Sequence, residues 1–298
     1  MFFKELCQYM DECSIDYEIN ANIAQCLSFR VGGLARAIVY PDTLDKLCKI
    51  INFVAKKIKF FVLGKGTNCY FNEYYDGVII STIKLDSLKL NENKIVAKCG
   101  ASLTRCAVYA YERGLTGIEF LYGIPGSVGG GIYMNASAFG KMMSDVITEC
   151  TVYDLNLNKT HVITKDELKF DMKHSLFMEK NLYALEVVFS LCSGNKEEIN
   201  KLMTQNMKKR IKTQPLNLPN AGSTFKRPKN AFASQLIDEA GLKGYRIGDA
   251  EVSTKHAGFI VNRGNATARD VNLLINKIKT EIYEKFSIDL EEEIIFVE

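Results

Sequence analysis

The fold of this chain is decided by Gly117–Asn135, which reads GIEFLYGIPGSVGGGIYMN. The stretch contains six of the 21 glycines found in 298 residues. Glycine reaches backbone angles closed to other residues and lets the main chain come close to a ligand. Successive main-chain N–H groups in such a stretch form a concave anion site. Pro125 fixes one dihedral angle between two glycines, so the stretch has a defined shape.

A flexible connector is the alternative interpretation of this stretch. Linkers, however, are rich in serine and other polar residues. Here the glycines alternate with isoleucine, phenylalanine, leucine, valine, tyrosine and methionine. We therefore predict a buried loop that holds a ligand.

The composition indicates a soluble globular protein of two or three domains, with 47% hydrophobic and 24% charged residues. A net charge of +3 is too small to predict binding to nucleic acid or to a membrane surface. No apolar run approaches the ~20 residues that a membrane-spanning helix needs. Acidic residues follow Met1 closely and no long apolar core is present, so a signal peptide is not predicted.

Nine cysteines and three histidines are scattered along the chain, and no C-x-x-C pair occurs. This pattern predicts reduced thiols in a cytoplasm, without a disulfide framework and without a zinc or other metal site. Free cysteine packs as a small hydrophobic residue, and we expect this role for all nine.

A second glycine turn, Gly64-Lys65-Gly66-Thr67-Asn68, follows a predicted strand at Phe60–Leu63. A strand that runs into a glycine turn presents main-chain N–H groups to a phosphate. The turn is neither a Walker loop nor a G-x-G-x-x-G fingerprint. A plain hairpin turn is the alternative, and it would be favoured if Gly117–Asn135 were absent.

Local patterns elsewhere predict a chain that is rich in strands up to about residue 190 and richer in helices after it. The predicted elements that matter below are a strand at Ser28–Gly33, a helix that ends at Lys208-Lys209-Arg210, a long helix with a capping box at Thr267 and Asp270, and a closing strand at Ile288–Val297.

Three polar segments have no evident structural purpose: Phe170–Ser175, Asn220–Pro228 and the acidic run Glu291–Glu293. Ser223 follows a glycine, as nucleophilic serines often do, but no G-x-S-x-G is present. Ser223 is therefore a better candidate for a proton donor or a hydrogen-bonding ligand. A helix cap or a turn is the alternative, and spacing alone favours that alternative.

Taken together, these segments resemble the UDP-N-acetylenolpyruvoylglucosamine reductase family over nearly the whole chain. No single motif is decisive, but their order and spacing are very specific. The short run from Phe177 to Tyr183 is similar to the compact type of the family. The matching segments are 28–33, 63–68, 117–135, 221–228, 241–244, 256–262 and 293–295.

The resemblance implies an α+β fold with a two-subdomain FAD-binding region of the vanillyl-alcohol-oxidase/PCMH type and a C-terminal α+β substrate domain. The FAD-binding region is expected at 1–200, with subdomains at roughly 1–80 and 81–200. The substrate domain is expected at 201–298, and its last strand, 288–298, is expected to return to the active site.

The resemblance also implies non-covalent FAD, with its pyrophosphate on the 64–68 turn and its flavin edge along Gly123–Gly130. The implied cofactor-binding residues are Arg30, Gly64, Lys65, Gly66, Thr67, Asn68, Gly123, Ile124, Pro125, Gly126, Ser127, Gly129 and Gly130.

The implied activity is the NADPH-dependent reduction of the enolpyruvyl ether of UDP-N-acetylglucosamine to UDP-N-acetylmuramate, in peptidoglycan precursor synthesis. The flavin carries the hydride, and the protein supplies placement, charge and one proton. From the cysteine pattern and the small net charge we expect a cytoplasmic protein with no nucleic-acid or membrane partner, and we expect a monomer.

By resemblance, Ser223 is the proton donor. Glu293 assists Ser223, and Lys173 supplies the cation that holds the substrate carboxylate. Lys226, Arg227 and Asn135 are expected to bind substrate. The chain departs from the family at Met172-Lys173, where a Tyr-Arg pair is usual. Lysine keeps the charge but loses the bidentate fork of arginine.

Two other functions stay open at this point. The chain could be another FAD-dependent oxidoreductase of the same superfamily, although the match around Ser223 and Glu293 argues against it. It could also be a catalytically weakened FAD-binding relative, which the change at Met172-Lys173 permits.

Overall fold

The structure, a computed structural model, describes residues 2–298. Its internal contacts divide the chain into two compact units, each built from separated segments of sequence. Unit 1 comprises Met1–Ile19, Ala37–Lys65 and Gly77–Lys208, and unit 2 comprises Asn20–Arg36, Gly66–Asp76 and Lys209–Glu298. The domain boundaries that we expect near residues 80 and 200 stay predictions.

Seven α-helices and nineteen strands are present in residues 2–298. None of these helices combines the length and apolar character that crossing a bilayer requires. The helices are α1 (Phe2–Glu12), α2 (Leu44–Ala55), α3 (Leu103–Glu112), α4 (Val128–Tyr133), α5 (Lys196–Thr213), α6 (Ala233–Glu239) and α7 (Ala268–Phe286). The strands are β1 (Asp16–Asn22), β2 (Leu34–Tyr40), β3 (Phe60–Leu63), β4 (Cys69–Phe71), β5 (Tyr74–Ser81), β6 (Leu88–Asn91), β7 (Lys94–Lys98), β8 (Leu115–Thr116), β9 (Ser137–Ala138), β10 (Lys141–Met142), β11 (Ile147–Asp154), β12 (Lys159–Thr164), β13 (Leu182–Ser190), β14 (Cys192–Ser193), β15 (Asn220–Ser223), β16 (Arg246–Ile247), β17 (Ala250–Val252), β18 (Phe259–Asn262) and β19 (Ile295–Val297).

Unit 1 contains an antiparallel sheet of five strands in the order β12-β11-β13-β7-β6. One of its faces is buried against α3 and α4, and Val187 and Phe189 of β13 share a core with Val128 and Ile132 of α4. The sheet agrees with the strand-rich pattern predicted up to about residue 190. The second half of the glycine-dense stretch, which forms α4, therefore packs against one face of this sheet.

A second sheet has the order β1-β2-β5-β3. Strands β3 and β5 run parallel, with Phe60 opposite Val78 and Leu63 opposite Ser81. Because these two strands run in the same direction, their carboxyl ends lie at the same edge of the sheet. Strand β3 ends there, and Gly64 is the first residue beyond it.

Unit 2 contains an antiparallel sheet in the order β15-β18-β17-β16, and α6 and α7 share its core. The capping box that starts α7 is confirmed, since Thr267 accepts from the Asp270 N–H and Asp270 accepts from the Thr267 N–H. The apolar stripe of α7 is buried, as its helical spacing predicts. It consists of Val271, Leu274, Ile275, Ile278 and Ile282.

The strand predicted at Ser28–Gly33 is wrong, because this segment is a loop. Arg30 has a φ of 55° and its N–H donates to the Leu27 carbonyl over 3.2 Å. A left-handed residue interrupts the alternation that a β-ladder needs. The segment therefore turns at Arg30.

The closing strand predicted at 288–298 is also wrong in extent, since only Ile295–Val297 forms a strand. Glu292 forms an isolated bridge with Phe225, whereas Ile295 pairs with Cys69 of β4. Because the segment changes its partner between these two residues, one continuous ladder cannot form.

The glycine-dense stretch is not wholly a loop, because its second half forms α4. Ser127 caps this helix by accepting the Gly130 N–H. A Cβ at Gly131 would lie 2.6 Å from Met143 Sδ, so glycine is required for the packing of α4. Similarly, α5 runs to Thr213, beyond the end predicted at Arg210.

Candidate active site

The turn that follows β3 presents unpaired main-chain donors. None of the N–H groups of residues 64–68 finds an acceptor within residues 2–298. Gly66 has a φ of 59°, and a Cβ there would lie 2.3 Å from the Cys26 carbonyl oxygen. Successive free N–H groups on a glycine turn form an anion site. The turn at 64–68 therefore has the donors for a phosphate.

The glycine-dense stretch differs, because most of its N–H groups are already bonded inside unit 1. The bonds are Gly123 N–H to Thr104 Oγ1 (3.1 Å), Val128 N–H to Ala101 O (2.8 Å), Gly129 N–H to Cys99 O (2.7 Å) and Gly130 N–H to Ser127 Oγ (3.3 Å). These bonds fix the path of the main chain. The glycines of α4 therefore shape a surface and donate little to a ligand.

The two glycine segments touch at Gly64 and Ser127, both in unit 1. A Cβ at Gly64 would lie 2.1 Å from Ser127 Oγ. The N–H groups of Gly126 and Ser127 have no acceptor within the described residues. Free donors from both segments therefore surround one junction, which we call the Gly64–Ser127 junction.

The residues at this junction fit two parts of an FAD molecule, the pyrophosphate and the flavin ring. Its unpaired donors suit a pyrophosphate. Gly130 is exposed, and a Cβ there would meet only Ser127 Oγ, at 3.4 Å. This bare patch of main chain can accept a flat ring at van der Waals distance.

The main chains of Ser223 and Glu293 lie close to each other in unit 2, although the two residues are far apart in sequence. Ser223 is the last residue of β15, and its hydroxyl makes no hydrogen bond within residues 2–298. The Glu293 N–H donates over 2.8 Å to the carbonyl of Thr224, which is the residue after Ser223. The Glu293 carbonyl accepts from Asn68 Nδ2 over 3.0 Å. Three predicted site residues, Asn68, Ser223 and Glu293, therefore lie where the last segment of the chain meets β15. We call this place the Ser223–Glu293 crossing.

The two other glutamates of the acidic run are engaged with lysines. Glu291 pairs with Lys226, and Glu292 pairs with Lys279 at 2.8 Å. Arg227 is exposed, and its guanidinium lies 3.9 Å from the ring centre of Phe232. Lys226 and Arg227 thus lie on the loop that follows Ser223.

Lys173 lies on a tight turn in unit 1. Asp171 and His174 exchange two main-chain hydrogen bonds of 3.2 Å, and Lys173 between them has a φ of 57°. Lys173 is half-buried, whereas Met172 is 55% exposed. His174 Nε2 lies 3.3 Å from a carboxylate oxygen of Glu179, outside the predicted site.

Two family models match the chain: the FAD binding domain over residues 35–158, and the C-terminal domain of UDP-N-acetylenolpyruvoylglucosamine reductase over residues 214–297. The reductase of Caldicellulosiruptor bescii is 42% identical over 293 residues, which are 97% of this chain and 93% of that protein. The chain belongs to the UDP-N-acetylenolpyruvoylglucosamine reductase family.

Other members of the reductase family agree. The enzyme of Caldanaerobacter subterraneus subsp. tengcongensis is 43% identical over 281 residues, with 94% of this chain and 93% of that protein covered. The crystal structure of the Thermus caldophilus reductase superposes with a TM-score of 0.81 at 30% identity, covering 95% of this chain and 99% of that one. The predicted fold class, with an FAD-binding region and a C-terminal α+β domain, is confirmed.

As a member of the reductase family, the chain is an FAD-dependent oxidoreductase, as the sequence predicted. The family acts in the synthesis of peptidoglycan precursors. The individual roles assigned to Ser223, Glu293 and Lys173 stay predictions.

Sequence reasoning gave no role to three polar residues that fix the main chain next to predicted site residues, each within its own unit. The Thr104 hydroxyl accepts from Gly123 N–H and donates to the Ile124 carbonyl, each over 3.1 Å. Asn262, 1% exposed, donates to the Phe29 and Arg30 carbonyls over 3.2 and 3.3 Å. The third residue is Ser175. Ser175 lies in the polar segment Phe170–Ser175 and Asn262 in the matching segment 256–262, but neither pattern indicates which carbonyl the side chain binds.

The groups beneath the glycine-dense stretch of the reductase site are uncharged. Burial raises the pKa of the Cys99 thiol to about 12, and Cys99 lies against Gly129. Burial also raises the pKa of Tyr133. Both groups therefore stay protonated and uncharged at neutral pH.

Proposed function

We propose that this chain reduces the enolpyruvyl ether of UDP-N-acetylglucosamine to UDP-N-acetylmuramate with NADPH as the reductant. FAD, when bound, supplies the hydride chemistry, accepting hydride from NADPH and passing it to the terminal carbon of the enolpyruvyl group. The N–H groups of the Gly64–Ser127 junction and of the turn at 64–68 would hold its pyrophosphate. The exposed Gly130 leaves room for its ring.

The crossing of the chain at Ser223 and Glu293 carries this proposal. Hydride addition to one carbon of the double bond leaves negative charge that spreads into the carboxylate, and the neighbouring carbon must then take a proton. Ser223 gives that proton from Oγ, acting as a general acid. Its hydroxyl suits this role because no group within residues 2–298 engages it.

Glu293 assists the Ser223 hydroxyl, because a serine hydroxyl alone is a weak acid. The hydrogen bonds of its main chain to Thr224 and Asn68 set its position beside Ser223. Glu291 and Glu292 have lysine partners and serve as surface ion pairs. Of the three, Glu293 is assigned to the chemistry because its main chain is bonded to Thr224, the residue that follows Ser223.

Lys173 holds the substrate carboxylate and stabilises the charge that develops there. Its ammonium offers a point charge in place of the usual arginine fork, so the carboxylate is held with less geometric control. Lys226 and Arg227 bind the anionic part of the substrate from the loop after Ser223. The protein acts as a monomer in the cytoplasm.

The test is stopped-flow spectroscopy on the purified, yellow protein. NADPH should bleach the flavin absorption band, and the enolpyruvyl substrate should restore it without oxygen. A protein that NADPH bleaches but the substrate does not reoxidise would be another flavin oxidoreductase. A protein that binds FAD and responds to neither would be a non-catalytic relative.

A further inference from the structure

The turn that carries Lys173 is tied to the end of α4 by Asn135, which is 1% exposed. Asn135 Nδ2 donates to the Asp171 carbonyl over 3.0 Å, and its Oδ1 accepts from the Ser144 N–H over 3.0 Å. Both ends of the buried amide are therefore bonded within unit 1. A side chain so engaged is not available to a substrate.

Ser175 ties the other end of the same turn. It is 0% exposed, and its hydroxyl donates to the Tyr133 carbonyl over 2.7 Å. Residues on both sides of Lys173 are thus bonded to the segment 133–135. That segment ends the helix whose first turn lies at the Gly64–Ser127 junction.

The backbone of this region is held in an uncommon conformation. Asn135 has a φ of 42° and Lys173 a φ of 57°. Asparagine tolerates the left-handed region, whereas a long side chain such as lysine enters it at a cost and stays only when its surroundings hold it there. The bonds of Asn135 and Ser175 supply that restraint.

We propose that Asn135 is a positioning residue that holds the Lys173 turn in place for the reaction, and that it makes no contact with substrate. The proposal rests on the proposed function, because it takes Lys173 to bind the substrate carboxylate. Loss of the anchor would shift the ammonium, and a misplacement of ~1 Å costs about 10²-fold in rate.

The sharpest variant is Asn135→Asp, since aspartate keeps the shape and the acceptor but loses the donor to the Asp171 carbonyl. Asn158→Asp is the matched control. Asn158 also has a left-handed φ, 49°, and its Oδ1 accepts from the Tyr153 hydroxyl, but it is exposed on a hairpin turn. Both variants thus lose an amide donor and gain a carboxylate.

The first measurement is hydrogen exchange followed by mass spectrometry on the FAD-free protein. Peptides that cover 170–178 should exchange about tenfold faster in Asn135→Asp, because the turn loses one anchoring hydrogen bond. They should be unchanged in Asn158→Asp. Unchanged exchange in Asn135→Asp would overturn the proposal.

The second measurement is a double-mutant cycle on flavin reoxidation by the substrate. Asn135→Asp should slow reoxidation by about 10- to 100-fold. Combined with Lys173→Ala, it should add nothing further, because one residue acts through the other. Additive losses would show that Asn135 acts independently of Lys173, and the proposal would be wrong.

Ser175→Ala guards against an Asn135→Asp protein that does not fold, since it removes only a hydroxyl from the same turn. It should reproduce the faster exchange and the slower reoxidation. Wild-type protein that the substrate fails to reoxidise would instead refute the proposed function, and the exchange experiment would still report on the anchor.

Discussion

The Gly64–Ser127 junction of unit 1 and the Ser223–Glu293 crossing of unit 2 are both made by distant segments that meet, but they offer a ligand different chemistry. The junction offers main-chain N–H groups, and side chains are absent where Gly64 and Gly130 lie. The crossing offers a hydroxyl and a carboxylate, and the N–H and carbonyl of Glu293 are bonded to Thr224 and Asn68.

This difference separates binding from chemistry. Main-chain donors do not titrate and cannot change rotamer, so they suit a cofactor that stays bound through both half-reactions. Side chains can give or take a proton, so they suit the step that alters the substrate. Changes at the junction should therefore remove the cofactor, whereas changes at the crossing should slow one half-reaction.

The largest effect is expected for Gly64→Ala at the junction. Its new Cβ would push away the Ser127 hydroxyl, which caps α4, and overpacking of this kind costs about 1–3 kcal/mol. We expect the protein to be purified without FAD, as judged by its visible spectrum. Gly140→Ala is the control, because Gly140 has a φ of 79° with open space around it, so it should lose stability but keep its flavin.

At the crossing, Ser223→Ala should leave flavin reduction by NADPH unchanged and slow reoxidation by substrate about 10²–10⁴-fold. The two half-reactions can be followed separately by stopped-flow absorbance. Loss of both would mean that Ser223 contributes to binding, and the contrast between the two regions would fail.

A smaller loss, on the order of 10- to 100-fold in reoxidation, is expected for Glu293→Gln, since one assisting group supplies about 1.4–2.8 kcal/mol. Glu292→Gln is the matched control, because its carboxylate pairs with Lys279 on the surface. If the two variants slow reoxidation equally, Glu293 has no special role at the crossing.

The smallest effect should come from Lys173→Arg, which keeps the charge and adds a second donor. One further charge-assisted hydrogen bond of about 1.5 kcal/mol would raise the turnover by up to about tenfold. Steady-state kinetics with the enolpyruvyl substrate would measure it. A severe decrease would show that the turn at Asp171–His174 is shaped for lysine alone.

Local sequence predicted the elements whose cause is local. The capping box of α7 needs only residues three positions apart, and it is present. Glycine signals an unusual main-chain path wherever it lies, but the helix in the second half of Gly117–Asn135 was not predicted, and the binding of FAD by the two glycine segments stays a prediction.

The use of each N–H group could not be predicted, since its partner lies elsewhere in the chain. Cys99 and Ala101 take the donors of α4, and nothing in the sequence GSVGGG indicates this. The predicted extent of the last strand was wrong for the same reason. Phe225 pairs with Glu292 and Cys69 pairs with Ile295, so one segment has two different partners.

The pairing of β19 with β4 has a consequence for the synthesis of this protein on the ribosome. Asn68 and its partner Glu293 are 225 residues apart. Because translation proceeds at ~5–20 residues per second, Glu293 is made about 10–45 s after Asn68. Unit 2 therefore cannot close before β19 has been made, and a chain truncated before Glu293 would lack the hydrogen bond from Asn68 that secures this turn.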